Sequence, residues 1–115
     1  MRSAMMSFKG NKLIFYGHVV TLMHKIDKIV EIPQGLLVLT EFSSWKNDRN
    51  AYLVGRDGVV KWQIEQVGTD PKAGPQPYTG IGIDKDGNIH AHNWAGFACL
   101  IDIETGKIIS KKMVK

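Results

Sequence analysis

The sequence predicts an all-β fold: antiparallel meanders forming a β-sandwich or partly closed barrel of about eight to ten strands, with a blade-like internal repeat. Three observations carry this reading. The stretch from Tyr78 to Ile109 holds four short β-rich runs separated by Asp84-Lys-Asp-Gly87, Ala95-Gly96 and Glu104-Thr-Gly106, and such Asp- and Gly-containing turns supply the positive φ angles of tight hairpins. The upstream half repeats the same grammar more loosely. No window holds a 3.6-residue apolar stripe, and Gly, Pro and β-branched residues recur too often for a good helix.

Taken in order, nothing before Phe8 looks structural, so residues 1–8 are expected to be disordered, and Met5 or Met6 would serve as a start. Lys12-Leu-Ile-Phe-Tyr16 and His18 to His24 read as a hairpin turned at Gly17. Ile26 to Ile32 alternates, with Ile26, Lys28, Val30 and Ile32 on one face; the pattern also allows it to continue the preceding strand. Pro33-Gln-Gly35 marks a turn, and the unbroken apolar start of Leu36 to Phe42 marks a buried strand. Ser43 to Asn50 is a polar loop around Trp45, an aromatic that either caps the core or offers a contact. Ala51 to Glu65 is the clearest hairpin, with Asp57-Gly58 between two β-branched or aromatic runs. Within it Val60, Trp62 and Ile64 share a face, and Trp62 is expected in the core. Gln66 to Pro77 holds three prolines and two glycines and cannot continue a sheet; a short helical turn is permitted within it. The Tyr78 meander then closes the chain, with Lys107 to Val114 as its last strand.

Gly35 to Phe42 can be laid on Gly87 to Trp94, and Tyr52 to Gly58 on Leu100 to Gly106. The 115 residues therefore read as one domain with two blade-like meanders, 26–66 and 78–114. Asp57-Gly-Val-Val-Lys-Trp-Gln63 and Ile101-Asp-Ile-Glu-Thr-Gly-Lys-Ile108 resemble blades of quinoprotein-like propellers. Two blades and a hairpin cannot close a ring of four or more, so a monomer is expected to form the sandwich or barrel, with an oligomeric propeller as the alternative.

The net charge of +4 is unevenly distributed. Residues 1–30 carry +4, residues 105–115 carry +4, and residues 31–104, with six basic and ten acidic side chains, carry −4. Basic ends suit either solvated sheet edges or a nucleic-acid surface. Single-strand binding would use exposed aromatics among basic residues. Tyr16, Trp45, Tyr52, Tyr78 and Trp94 are available, but the middle that bears most of them is acidic. No apolar run reaches membrane-spanning length and no secretory h-region is visible. The single cysteine, Cys99, lies in an apolar run, which suits a small buried residue in a reducing cytoplasm.

His90 and His92, at i and i+2 on a strand, point to one face and are the sharpest candidates for a metal, phosphate or small ligand. A metal needs another ligand, for which His18, His24, Asp84 and Asp86 are available. The ordinary reading is a wet sheet face. Asp84-Lys-Asp-Gly-Asn88 echoes the start of a calcium loop, but it has no downstream bidentate Glu at the required distance and reads as a hairpin turn. No phosphate-binding loop, nucleophile elbow, Cys-x-x-Cys or dinucleotide fingerprint is present, so neither catalysis nor a cofactor is expected.

Asn50-Ala-Tyr-Leu-Val-Gly-Arg-Asp-Gly-Val-Val-Lys-Trp-Gln-Ile-Glu65 resembles a set of small bacterial all-β proteins of this length, the immunity partners of secreted or contact-dependent toxins. So do Pro77-Tyr-Thr-Gly-Ile-Gly-Ile83, Asn93-Trp-Ala-Gly-Phe97 and Ile101-Asp-Ile-Glu-Thr-Gly-Lys107. The likeness covers residues from about 26 to 110. It implies occlusion of a toxin's active site, the toxin being encoded by an adjacent gene. A basic nuclease toxin would meet acidic contacts, which Glu41, Asp48, Asp57, Glu65 and Asp70 can offer, with Arg49 beside them and Trp45 as aromatic anchor. The rival reading is a small-ligand, metal or single-strand nucleic-acid binder using the His90/His92 face.

Overall fold

The computed structural model describes residues 5–42, 48–67 and 76–113. Among them the chain is all-β, with eleven strands in three antiparallel sheets and no helix. The first sheet is β1 (Met6–Lys9), β2 (Lys12–Phe15) and β3 (His18–Thr21). The middle sheet is β4 (Ile26–Ile32), β5 (Gly35–Thr40), β6 (Ala51–Val54) and β7 (Val60–Gln63). The third is β8 (Tyr78–Ile83), β9 (Ile89–Asn93), β10 (Phe97–Ile101) and β11 (Ile108–Met113). The strands run in sequence order across every sheet, and none of the three closes into a barrel. The middle and third sheets are thus two four-stranded meanders.

The apolar pattern dictates how the sheets stack. Leu37, Leu39, Leu53, Trp62 and Ile64 of the middle layer pack on Tyr78, Ile81, Ile89, Ala91, Cys99 and Ile101 of the third. Leu36, Val38, Tyr52 and Val54, on the opposite face of the middle sheet, pack on Leu13, Phe15, Val20 and Leu22. The middle sheet is therefore covered on both sides. That explains the unbroken apolar run Leu36-Leu-Val-Leu: a strand buried on both faces has no reason to alternate, and every residue of β5 and β6 is buried.

Several local expectations are corrected. The first strand starts at Met6, inside the segment expected to be disordered, and β1 pairs with β2 from Met6↔Phe15 to Lys9↔Lys12. It brings the strand number above the expected eight to ten. Ile26–Ile32 does not continue β3; it opens a different sheet. Ile26 also does not share a face with Val30 and Ile32. A register shift between Ile26 and Lys28 reverses the parity, so Ile26 faces the first sheet and Ile32 the third. A second shift, where β6 pairs with β7, sets Val60 opposite Val54. Val60 thus leaves the face of Trp62 and is 40% exposed.

Trp62 is buried, and its indole Nε1–H donates to Ile103 O at 2.8 Å. Gly106, with φ of +76°, lies flat against this ring: a Cβ there would sit 2.6 Å from it. Among the described residues no helix is long and apolar enough to cross a membrane.

Candidate functional site

The acidic and basic side chains singled out from the sequence fall at two places. Asp57 sits at the tip of the β6–β7 turn, where Oδ1 accepts from Val59 N–H at 3.1 Å and Oδ2 meets Lys61 Nζ at 2.7 Å. The Lys61 hydrogen bond, ahead of the Val59 amide, lowers its carboxyl from the ordinary range. Glu41, Asp48, Arg49 and Glu65 lie at the opposite end of the same sheet, where β5 ends, β6 begins and β7 ends. Trp45 and Asp70 lie outside the described residues.

At that end most of the charged groups hold the framework. Asp48 is buried, and its Oδ2 accepts from Gln66 Nε2 at 2.6 Å. Arg49 donates from Nε to Ile64 O at 2.9 Å and from Nη2 to Gln63 O at 3.1 Å, clamping the end of β7. Glu65 joins the middle layer to the third: its Oε1 accepts from Ile108 N–H, its own N–H donates to Gly106 O, and its carbonyl accepts from the Tyr78 hydroxyl at 2.6 Å. Arg49, Glu65, Gln66 and Lys107 line a cleft of about 320 Å³ between these elements.

Two features of this end were not singled out from the sequence as a site. Asn50 is fully buried and bridges the layers. Its Nδ2 donates to Thr40 O at 2.8 Å and Tyr78 O at 2.9 Å, while Oδ1 accepts from Tyr78 N–H at 2.8 Å. One carboxamide thus supplies the donors and acceptor that a neighbouring strand would otherwise give. The second feature is Phe42 with Trp94, ring centroids 6.0 Å apart in an edge contact. Trp94 is 61% exposed, on a β9–β10 turn fixed by hydrogen bonds from Trp94 N–H to Pro77 O and from Phe97 N–H to Asn93 Oδ1. In the sequence Trp94 stands out as one of the aromatics available for base stacking and as part of Asn93-Trp-Ala-Gly-Phe97, but its pairing with Phe42 has no sequence signal. Of the other aromatics considered for base stacking, Tyr52 and Tyr78 are core residues, which removes them from any such surface. Cys99 is also buried, and burial raises both its thiol and the Tyr78 phenol, so both stay protonated at neutral pH.

The alternation of β9 turns Ile89, Ala91 and Asn93 inward and leaves His90 and His92 on the outer face of the third sheet. His90 Nε2 is 2.7 Å from Asp84 Oδ2. Asp84 also orders its own turn, Oδ1 accepting from Asp86 N–H at 2.9 Å and Asn88 N–H at 3.0 Å. The Asn88 amide first, then His90, lowers the Asp84 carboxyl to about 2. No group of three or more His, Cys, Asp or Glu able to hold a metal occurs among the described residues.

A depressed carboxylate favours the folded state above its unfolded value. That contribution is lost as pH falls through the folded one. For Asp84 the window runs from the ordinary 3.8 down to about 2. A carboxyl NMR titration should give a midpoint near 2. In His90→Ala it should rise yet stay below 3.8, because the turn amides remain. A wild-type midpoint at the ordinary value would contradict this geometry.

Residues 3–113 match the family described as Domain of unknown function (DUF7957), and the chain belongs to that family. No curated protein matches it.

Proposed function

We propose that this DUF7957 chain is a non-catalytic protein-binding domain, an immunity protein that occludes the active site of a cognate bacterial toxin, a basic nuclease being the toxin class that an aromatic contact beside Glu41 suits. The observation that carries the reading is Trp94, a large aromatic 61% exposed on a turn whose backbone is fixed by hydrogen bonds. A pre-ordered Trp loses little conformational entropy on docking, and Trp is enriched among the residues that dominate interfaces. Phe42 supports its edge, and exposed Glu41 lies next in the chain. Together they form an apolar contact with an acidic neighbour, as a basic partner would require.

The roles of the remaining residues divide by geometry. Glu41, Phe42 and Trp94 are the contacts. Asp48, Arg49 and Glu65 position that end by tying β7 and the third sheet to it. Asp57, at the far end of its hairpin, takes no part. A cytoplasmic location suits the single buried thiol.

The test is co-expression with the product of the adjacent upstream reading frame, the usual position of a toxin gene relative to its immunity gene. A complex that survives size-exclusion chromatography and abolishes that product's toxicity is expected. Unchanged toxicity with no complex would overturn the reading.

A further inference from the structure

Two glycines lie inside β8: Gly80 directly follows a register shift in the β8–β9 pairing, and Gly82 lies in the regular part of it. Gly80 and Gly82 take no left-handed φ, and a Cβ built at either position meets nothing within 4 Å. Glycine weakens a strand interior. A strand glycine marks a bulge, a bend or the close approach of another group; the register shift accounts for Gly80, and at Gly82 neither φ, crowding nor a shift demands a glycine. Both glycines face outward in register with the histidines, Gly80 opposite His92 and Gly82 opposite His90. The result is a trough of about 400 Å³ floored by the two glycines and bordered by His90, His92, Asp84 and, from β4, Lys28. That volume lies within the range of small-molecule sites.

The charges around the trough are not balanced against one another. The Asp84 carboxylate is already engaged by His90 and two turn amides. The side chains of Lys28 and His92 have no hydrogen-bond or ion-pair partner among the described residues. Two unengaged donors therefore border a flat floor with no side chains on it.

We propose that this trough binds a small planar molecule bearing one carboxylate or phosphate. Its flat body rests on the Gly80–Gly82 strand, and its anionic group lies between Lys28 and His92. His90, held by Asp84, forms the fixed wall. The site is separate from the Phe42–Trp94 contact and does not depend on the protein having a toxin partner.

The test is an amide and imidazole NMR titration of the full ¹⁵N-labelled chain with phenyl phosphate and, separately, benzoate. Saturable shifts at Gly80, Gly82 and His92 are expected with at least one of them, and the one that binds identifies the acid. Lys28→Ala and His92→Ala should each weaken binding about tenfold, as loss of a charge-assisted hydrogen bond does. The double variant Gly80→Val/Gly82→Val puts side chains on the trough floor at two positions where a Cβ meets nothing within 4 Å. It should keep or raise the melting temperature and lose binding. No saturable shift with either anion, or undiminished binding by the filled variant, would overturn the proposal.

Discussion

Asn50→Ala should unfold this protein more readily than any surface substitution. The change removes one fully buried carboxamide and leaves Thr40 O, Tyr78 O and Tyr78 N–H without their side-chain partner. Each buried polar group so stranded costs about 1–3 kcal/mol. Thr40 O and Tyr78 O are acceptors and keep some alternative geometry; the Tyr78 N–H is the strictest loss. The expected sum is about 3–5 kcal/mol, a large share of the roughly 5–15 kcal/mol that holds a domain folded. Asn50→Asp is an informative companion. It keeps an acceptor for Tyr78 N–H, loses both donors and buries a carboxylate, so its defect should ease at low pH. Denaturant unfolding of the three chains checks this; an Asn50→Ala midpoint equal to wild type would mean the bridge contributes nothing.

Gly35→Ala should cost a comparable amount for a different reason. Gly35 opens β5 with φ of +144°, a conformation that side chains rarely adopt. A Cβ there would run into the Val54 carbonyl oxygen and come within 3.1 Å of its carbon and 3.2 Å of Gly55 Cα. All three are backbone atoms, of the last residue of β6 and the residue after it, so no rotamer change relieves the contact. Backbone strain and overpacking each cost about 1–3 kcal/mol, giving roughly 3–5 kcal/mol together. Gly80→Ala is the control on the same instrument. With open space and an unremarkable φ, it should be neutral or slightly stabilising.

Much of this architecture is legible because turn chemistry is local. Asp57-Gly58, Asp84 to Gly87 and Glu104 to Gly106 each mark a turn that the chain makes, with Gly58, Gly87 and Gly106 all at positive φ. The four-residue apolar run after Gly35 announces a strand covered on both faces. Bulges are harder to read, because one inserted residue changes which side chains face the core without any compositional trace. Hence Ile26 and Val60 fall on unexpected faces. The first strand was hidden because Met6-Ser-Phe-Lys9 is short and mostly exposed.

The candidate docking end is less legible for a related reason. Asn50 and Tyr78 are 28 residues apart in sequence, so no periodicity predicts that they join two layers. Asp48 and Glu65 look like free surface acids in the sequence; the β6–β7 pairing brings Gln66 to the first, and the packing of the third sheet on the middle one brings the Ile108 amide to the second. The exposure of Trp94 is equally a tertiary fact. His90 and His92 share a face by strand parity alone, and the sequence showed that pairing directly.

The most direct measurement of the docking account compares wild type with Trp94→Ala in affinity for the co-expressed neighbouring gene product. Truncating a central aromatic anchor costs about 2 kcal/mol or more, so affinity should fall at least about thirtyfold. The melting temperature should be unchanged, because Trp94 is mostly outside the core. Equal affinity for the two chains would contradict the assignment of the Phe42–Trp94 end as the docking surface.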